Sequence, residues 1–423
     1  MTPPKLQFSL RSHGASITTI LPLPQSQQLI TADTTGLLIL RNLITRRPIR
    51  RWQGHESDVI TLIQLDSSHV LSHSRDSEIK IWNLDKIEKD RDGLEYCMPV
   101  NAVNFSNIIW IPESSNGENG YLMTPASVDS NGFDVYKLSK SDGIWKMTTR
   151  VITNYSGYNL VHKQPQVDGE IGSRGDFGII MKMTHDISNN DVIYLGYESG
   201  DIVGISITFN PQPTSASTLT SSSSKPPNGT TGGGLSKMFK ETNRTIINHD
   251  PQIKLMYHNS THSPNPIISL TYDSKMGLIS GSTGKKIIIH STEETIKLNQ
   301  SGIQSIQTHD TSNMIVVGYW NGMIEGYDSQ TKACEWDLKR SLPRIKTVMT
   351  NQGGVDESEE NVKGEMKLSY MVISSMKGDD EENGERGKKK SYKELIRRKK
   401  NQNLDSNLLF TGYEDGTINV FKI

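Results

Sequence analysis

Short apolar runs recur along the 423-residue chain, each followed by a tight polar turn and a second apolar run. β-Branched residues on both sides of a turn that often contains glycine are typical of a β-hairpin. Three copies share Gly-Tyr-x-x-Gly at the turn, in residues 192–207, 314–327 and 408–421. Four looser copies occupy residues 29–43, 70–84, 121–138 and 278–290. The pattern therefore predicts seven hairpins.

A further apolar strand is predicted before each hairpin, in residues 17–21, 59–65, 103–111, 178–183, 267–272, 303–306 and 345–349. These strands would be the innermost strands of seven four-stranded sheets. The second strand of each hairpin carries, at equivalent positions, Arg41, Trp82, Tyr136, Ile205, His290, Tyr327 and Phe421. Seven such units predict an all-β fold, a seven-bladed WD40-type β-propeller that occupies residues 1–423 as a single domain.

Two segments interrupt this periodicity. Residues 208–264 include a Ser-, Thr-, Gly- and Pro-rich run that has little to bury, and they predict a flexible insertion between blades four and five. Residues 350–404 have an acidic half and a basic half, and they predict a charged, disordered insertion in blade seven. About 311 residues remain without them, or roughly 44 for each blade, which is the period of a WD repeat.

The ring needs a fourth strand for its last blade, because the seventh hairpin ends at the end of the sequence. Residues 6–10 alternate between apolar and polar side chains and lie before the first blade. We expect this strand to pair with residues 418–421. Such pairing would close the ring and cover a sheet edge that could otherwise promote aggregation.

The second hairpin carries the most complete side-chain pattern. Its spacing places His55, Ser72, Asp76 and Trp82 in a loop, a strand, a turn and the next strand of one blade. We expect them to form a buried hydrogen-bond chain that makes the blade rigid. This structural role is favoured over a catalytic or metal-binding pair of His55 and Asp76. With these residues the chain resembles the WD-repeat proteins, although the other six blades lack the tryptophan.

A narrower resemblance rests on the opening Ser12-His13-Gly14, the strong second blade, the weak middle blades, the polar insertion after blade four and residues 409–418. This combination resembles the fungal ASTRA-associated family of WD-repeat proteins. The resemblance implies a non-catalytic scaffold subunit of the nuclear ASTRA complex, linked to chromatin remodelling and to maturation of phosphatidylinositol-3-kinase-related kinases. The implied partners are RuvB-like ATPases, a kinase-cochaperone trimer and a very large pseudokinase.

Composition narrows the function classes further. Forty-six Lys and Arg against 47 Asp and Glu give a net charge of −1, which makes direct nucleic-acid binding an unfavoured role. Two cysteines are too few for a disulfide framework or a zinc cluster. The sequence contains neither a secretion signal nor a long apolar run, and we expect a soluble intracellular protein without a membrane segment.

Enzyme signatures do not match. Residues 281–285 have the composition of a phosphate-binding loop but not its spacing, since Ile279 and Lys286 stand where the motif needs a glycine and a hydroxyl. We interpret them as a hairpin turn. No residue is assigned to catalysis, to a cofactor or to a metal, and we expect neither an enzyme nor a bound cofactor.

The candidate partner-binding face lies where the turns between second and third strands emerge. The candidate residues are Arg75, Tyr197, Glu198, Tyr319, Trp320, Tyr413 and Glu414. Exposed aromatic and arginine side chains are typical of binding hot spots. The alternative is that each tyrosine points inward and packs under its own turn.

Two other features have competing interpretations. Trp336-Asp337-Leu338-Lys339 resembles the box of propellers that serve as substrate receptors of cullin ubiquitin ligases. We expect Trp336 on an outer strand instead, packed against a neighbouring blade, so that function stays the alternative. The basic run in residues 388–400 predicts either a nuclear-import signal or a solvated helix without a partner, with a nucleic-acid contact the less favoured third interpretation. Its candidate import residues are Lys388, Lys389, Lys390, Arg397, Arg398, Lys399 and Lys400.

Overall fold

The computed structural model describes residues 3–87, 93–101, 106–113, 117–163, 176–186, 188, 192–209, 251–309, 313–340, 366–376 and 406–423. In these ranges 28 strands form seven four-stranded antiparallel sheets. The innermost strands of neighbouring sheets contact one another along most of a ring, and blades two and three share one core cluster. This is a seven-bladed β-propeller, and it confirms the fold class that the sequence predicts.

The strand order follows the chain except at its start. Strand β1 (Lys5–Arg11) belongs to the last blade. Blade one contains β2 (Ile17–Leu23), β3 (Gln28–Asp33), β4 (Leu37–Asn42) and β5 (Arg47–Gln53). Blade two contains β6 (Val59–Gln64), β7 (His69–Ser74), β8 (Glu78–Asn83) and β9 (Leu94–Pro99). Blade three contains β10 (Ile109–Pro112), β11 (Asn119–Pro125), β12 (Gly132–Ser141) and β13 (Ile144–Ser156).

The remaining blades repeat this arrangement from the inner to the outer strand. Blade four contains β14 (Ile180–His185), β15 (Val192–Tyr197), β16 (Ile202–Thr208) and β17 (Gln252–Asn259). Blade five contains β18 (Ile267–Asp273), β19 (Gly277–Ser282), β20 (Lys286–Ile289) and β21 (Glu294–Lys297). Blade six contains β22 (Ile303–Thr308), β23 (Met314–Tyr319), β24 (Met323–Asp328) and β25 (Cys334–Lys339). Blade seven contains β26 (Leu368–Met376), β27 (Ser406–Tyr413), β28 (Thr417–Lys422) and β1.

Within the described ranges, two short helical segments lie outside the sheets. A 3-10 turn (Leu84–Lys86) follows β8, and helix α1 (Gly157–Val161) follows β13. Among the described residues, no helix has the length and the apolar character that crossing a membrane requires. Both cysteines are free and exposed on outer strands, Cys97 on β9 and Cys334 on β25.

The closing strand lies where the alternation of residues 6–10 predicts it. Strand β1 pairs antiparallel with β28, with Leu6 opposite Phe421 and Leu10 opposite Ile418. The side chain of Leu10 is buried in a cluster with residues of blades seven and one. The N-terminal strand therefore completes the last sheet and confirms the predicted closure.

The Gly-Tyr-x-x-Gly motif reflects two steric requirements of this fold. In blade seven the second glycine, Gly416, has φ +75° and its α-carbon faces the carbonyl of His13, so that a Cβ there would lie 2.5 Å from that oxygen. The first glycine, Gly412, faces the innermost strand of blade one, and a Cβ would lie 2.5 Å from Ile17. Only glycine fits both positions without a shift of the neighbouring blade.

Two expected boundaries are wrong. The insertion expected at 208–264 is too wide, because β17 (Gln252–Asn259) is the outer strand of blade four. An outer strand buries little, and this one has no clear apolar alternation to mark it. In blade seven the innermost strand is β26 (Leu368–Met376), inside the insertion expected at 350–404, rather than residues 345–349. Residues 345–349 lie outside the described ranges; both segments are apolar, and only the pairing with β27 distinguishes them.

Candidate functional site

The turns between second and third strands lie on one face of the ring, as their backbone contacts show. The N–H groups of Arg75, Glu198, Trp320 and Glu414 each donate to a carbonyl just before or at the start of the innermost strand of the same blade, at 2.9–3.1 Å. Thr34 makes the same bond in blade one. The four candidate face residues therefore occupy equivalent places in blades two, four, six and seven, on one side of the ring.

The three tyrosines of the candidate face are not exposed. Tyr197, Tyr319 and Tyr413 are all at most 1% accessible, so the alternative of inward packing is the correct one. The hydroxyl of Tyr319 donates to Glu325 at 2.6 Å, and Tyr413 lies under the guanidinium of Arg340, 4.8 Å from its ring centre. These tyrosines support their turns and cannot contact a partner.

The other four members of the face are open to solvent. Trp320 is 46% exposed and its ring lies against Gly302, while Arg75 approaches Asp58 at 3.9 Å with a half-exposed side chain. Glu198 and Glu414 are exposed at the equivalent positions. An exposed indole among charged side chains is the kind of anchor that protein partners bind.

In blade two, the four residues singled out by their spacing lie in one hydrogen-bond chain. Trp82 Nε1–H donates to Ser72 Oγ at 2.7 Å, and Ser72 Oγ lies 2.6 Å from His55 Nε2. His55 Nδ1 lies 2.8 Å from Asp76 Oδ2, which also accepts the N–H of Glu56 at 3.0 Å. The chain therefore ties the loop, both strands and the turn of this blade together.

The electrostatics of this hydrogen-bond chain favour a neutral His55. Burial lowers the pKa of His55, although Asp76 opposes the shift. Burial acts to raise the pKa of Asp76, but the N–H of Glu56 and the contact with His55 lower it overall. A neutral imidazole that donates from Nδ1 and accepts at Nε2 satisfies both neighbours.

One group of residues in this blade has the composition of a metal site. Ligand atoms of His55, Asp76 and Glu78 lie within 4.8 Å of one another. Both imidazole nitrogens of His55 are already engaged by Ser72 and Asp76, and Glu78 pairs with Lys80 at 2.8 Å. These hydrogen bonds and this ion pair account for the group as part of the blade framework.

Blade five has its own version of the chain, which the sequence analysis missed. His262 Nε2 lies 2.8 Å from Ser280 Oγ, and Ser280 Oγ lies 2.7 Å from Nε2 of His290, the residue in the place of Trp82. His290 Nδ1 in turn lies 2.7 Å from the hydroxyl of Tyr257. Burial lowers the pKa of both histidines to about 4.

A regular histidine–hydroxyl spacing in the sequence could have revealed these hydrogen-bond chains. The histidine in the loop before the innermost strand precedes its hydroxyl partner by 18 residues in blade one, 17 in blade two and 18 in blade five. In blade one His13 contacts Thr31 at 2.8 Å and Asp33 at 2.7 Å. The tryptophan is therefore less informative than the histidine–hydroxyl spacing.

Blades three and six replace the chain by buried carboxylates. In blade six, Glu325 accepts from the hydroxyls of Tyr319 and Tyr327, both at 2.6 Å. In blade three, Asp134 accepts from Arg150 at 2.5 Å and from the hydroxyl of Tyr136 at 3.2 Å. Each cluster lies between strands of one blade, and its hydrogen bonds make it a structural element.

Two further predicted features, a turn and a buried tryptophan, lie within the described residues. Residues 281–285 comprise the end of β19 and the turn that leads into β20, which confirms a hairpin turn. Trp336 lies on the outer strand β25 and is buried against residues of blades six and seven, as expected. The candidate import residues 388–400 lie outside the described residues.

Comparison with known proteins gives a consistent result along the whole chain. A family described as ASTRA-associated protein 1 matches residues 6–421. The chain is similar to ASTRA-associated protein 1 of Scheffersomyces stipitis, with 37% identity over 448 residues, 100% of this chain and 99% of the relative. It is also similar to that of Candida tropicalis, with 39% identity over 419 residues and 99% of both chains, and to that of Lodderomyces elongisporus, with 37% identity over 98% of this chain and 97% of the relative.

Proposed function

This chain belongs to the ASTRA-associated protein 1 family, and we propose on that basis that it is a non-catalytic scaffold subunit of the ASTRA complex. The observation that carries the proposal is the family match from residue 6 to residue 421, which includes all seven blades. A propeller supports such a role because its loops present a wide rigid surface on a fixed frame.

The proposed contact surface is the face of the second-to-third-strand turns. Trp320 is its anchor because it is large, aromatic and half-exposed. Arg75, Glu198 and Glu414 occupy the equivalent turns of blades two, four and seven, and their charges can select a partner and fix its orientation. The buried tyrosines beneath hold these turns in place.

The expected partners are RuvB-like ATPases, a kinase-cochaperone trimer and a large pseudokinase. Participation in chromatin remodelling and in maturation of phosphatidylinositol-3-kinase-related kinases belongs to the same proposal. We also propose a nuclear location, which the basic run in residues 388–400 would support as an import signal.

The alternative of a cullin substrate receptor has less support. Its hallmark would be a Trp-Asp box that closes a third strand, where an adaptor could contact it. Trp336 lies instead on an outer strand and only 6% of it is accessible. Its indole packs over Gly326 and is not available to an adaptor.

Affinity purification of the tagged chain tests the proposal. We expect the subunits of the ASTRA complex to co-purify with the wild-type chain and less so with Trp320→Ala. Met256→Ala, which truncates another exposed apolar side chain on the outer strand of blade four, controls for a general effect of such a truncation. Recovery of cullin adaptors in place of ASTRA subunits would overturn the assignment. For the nuclear location, a fluorescent fusion with residues 388–400 changed to alanine should lose nuclear accumulation.

A further inference from the structure

The arginines of this protein fall into two groups. Among the described residues, Arg75, Arg150 and Arg340 each have an aspartate partner, at 3.9, 2.5 and 2.7 Å. No ion pair forms in the described structure at the other six, which are Arg11, Arg41, Arg46, Arg47, Arg50 and Arg51. All six unpaired arginines lie on or beside the strands β1, β4 and β5, where blade seven meets blade one.

The lack of partners has a simple origin in the sequence. Residues 1–55 contain six arginines and Lys5 but a single acidic residue, Asp33. Asp33 is buried and engaged by His13 at 2.7 Å. Residues 1–55 therefore offer these arginines no free carboxylate of their own.

Four of these arginines are exposed and close together in the sequence, and we call them the arginine surface: Arg46, Arg47, Arg50 and Arg51. They lie on β5 and the turn before it, the outermost part of blade one. Arg46 lies over the ring of Phe8, 4.3 Å from its centre, and Arg50 donates to the carbonyl of Ile87 at 3.2 Å. Arg47 and Arg51 extend from the strand without a hydrogen-bond partner among the described residues.

A buried guanidinium lies behind this surface. Arg41 occupies the place of Trp82, is 1% accessible, and donates from Nη1 to Ser12 Oγ at 2.8 Å. Its Nε and Nη2 have no hydrogen-bond partner in the described structure. Burial and then the charge of Arg51 lower its pKa to about 10. A buried cation with other cations beside it is costly unless an anion lies close.

We propose that the arginine surface is a docking site for an acidic segment of a partner protein in the assembly. This inference rests on the scaffold function proposed above and specifies one of its contact surfaces. Carboxylates fit the unpaired guanidinium groups, which bind them in a bidentate manner. A bound acidic segment also reduces the cost of the charge on Arg41.

A protein segment suits this surface better than a nucleic acid does. The exposed side chain of Ile49 lies within the run of arginines, and Leu6 is exposed on the neighbouring outer strand. Apolar side chains among arginines suit a peptide with acidic and apolar residues. The net charge of −1 gives the whole chain no long-range attraction for a polyanion.

The side chains of the arginine surface recognise the partner segment, which does not add a strand to the sheet. The edge strand β5 contains Pro48, which has no N–H, and its pairing with β4 is irregular between Leu40 and Arg41. Both features oppose pairing with a further strand. The recognition elements are therefore the guanidinium groups.

A direct binding measurement tests this inference. The probe is a fluorescein-labelled synthetic peptide in which Asp and Glu alternate with Leu, titrated with the full chain at low and at physiological salt. The test variant is Arg47→Glu with Arg51→Glu, since neither side chain makes a hydrogen bond that the fold would lose. The control is Lys146→Glu with Lys254→Glu, which makes the same charge change on the exposed outer strands of blades three and four.

We expect the test variant to bind the peptide about tenfold more weakly or worse, and the control to stay within about twofold of wild type. The melting temperature of the test variant should equal or exceed that of wild type, because Arg51→Glu removes a cation beside Arg41. This result separates lost binding from lost folding.

The inference would be overturned if the wild-type chain did not bind the peptide, if the test variant bound it as well as wild type, or if the test and control variants lost peptide affinity equally. It would also be overturned if inositol hexakisphosphate or duplex DNA bound more tightly than the peptide through the same arginines. Tighter peptide binding after Asp379, Asp380, Glu381 and Glu382 are changed to amides would assign the surface to the chain's own acidic segment instead. None of these results depends on which complex co-purifies, so a failure here is distinct from a failure of the scaffold assignment.

Discussion

Blades one and two have the same backbone plan but differ in what occupies the third strand. In both, a histidine before the innermost strand reaches a hydroxyl on the second strand and an aspartate near the turn. Trp82 completes this chain in blade two, where its ring packs against Trp52 at 5.9 Å. In blade one Arg41 stands in its place and donates to Ser12 instead.

The equivalent position in the third strand therefore has a different role in each of these two blades. Trp82 contributes apolar burial and a hydrogen bond that ends within its own blade, so its role is complete in the isolated protein. Arg41 brings a charge that the described part of the chain does not neutralise, and four exposed arginines lie beside it. A position that is structural in one blade thus supports a binding surface in the next.

The largest effect should come from opening the ring beside blade one. Deletion of residues 1–11 removes β1, exposes the edge of β28 and uncovers Leu29 and Leu43 of blade one. We expect the whole domain to be destabilised, because an open ring leaves two blades without a packed face. Limited proteolysis measures this, and a core as resistant as that of the full chain would contradict the closure. Blade four, opposite the gap between blades seven and one, should not survive as a separate resistant unit either.

Trp82→Ala tests the blade-two side of the comparison. The change leaves a cavity and removes the donor to Ser72, and truncation of buried aromatics typically costs about 3–5 kcal/mol. Urea denaturation should show a loss of this size, whereas Trp320→Ala, at an exposed tryptophan, should change stability little. Similar losses in both variants would mean that Trp82 has no special structural role.

Blade five has a version of this hydrogen-bond chain that contains two titratable histidines. The pKa of His262 and of His290 is about 4 in the folded state, below the ordinary value of 6.5. Between pH 6.5 and 4 the unfolded chain binds protons that the folded chain does not, so the free energy of unfolding falls as the pH falls. The loss is on the order of 3 kcal/mol for each histidine and is absent above pH 6.5.

Urea midpoints measured from pH 7.5 to 4 check this dependence. His290→Gln keeps a side chain that can hydrogen-bond to Ser280 and Tyr257 but cannot titrate, so its stability should depend less steeply on pH. Two results would argue against neutral buried histidines in this blade. One is a wild-type stability that does not change between pH 6.5 and 4. The other is an equally steep pH dependence in the wild type and in His290→Gln.

The smallest expected effect belongs to Arg41. Arg41→Met removes a buried cation and keeps a similar length of side chain, and such replacements are often neutral or stabilising by about 1 kcal/mol or more. Thermal unfolding of the free protein should therefore show an equal or higher melting temperature. A loss comparable to that of Trp82→Ala would mean that Arg41 is a structural residue like its counterpart.

The sequence reveals the fold far better than it reveals the surface. All seven hairpins and the closing strand could be predicted, because apolar runs recur along the chain and many of the turns between them contain glycine, such as Gly416. The outer strand β17 could not, since an outer strand buries few side chains. Neither could the innermost strand β26, since two apolar segments compete for the place and only long-range pairing selects one.

The candidate site was harder to predict for a related reason. Tyr319 points inward because its hydroxyl donates to Glu325 on the next strand, which also accepts from the hydroxyl of Tyr327. A repeated motif cannot distinguish a tyrosine that supports a turn from one that binds a partner. The arginine surface is visible in residues 46–51, but its lack of ion-pair partners depends on which strands lie beside it.

The most direct test of the account is a side-by-side affinity purification of three tagged chains from cells: wild type, Arg47→Glu with Arg51→Glu, and Lys146→Glu with Lys254→Glu. Quantitative mass spectrometry would compare the recovered subunits at equal amounts of tagged protein. The account predicts that the wild-type and control chains recover the same ASTRA subunits in equal amounts, and that the arginine variant recovers at least one of them poorly. Recovery of no ASTRA subunit with the wild-type chain would contradict the scaffold role itself.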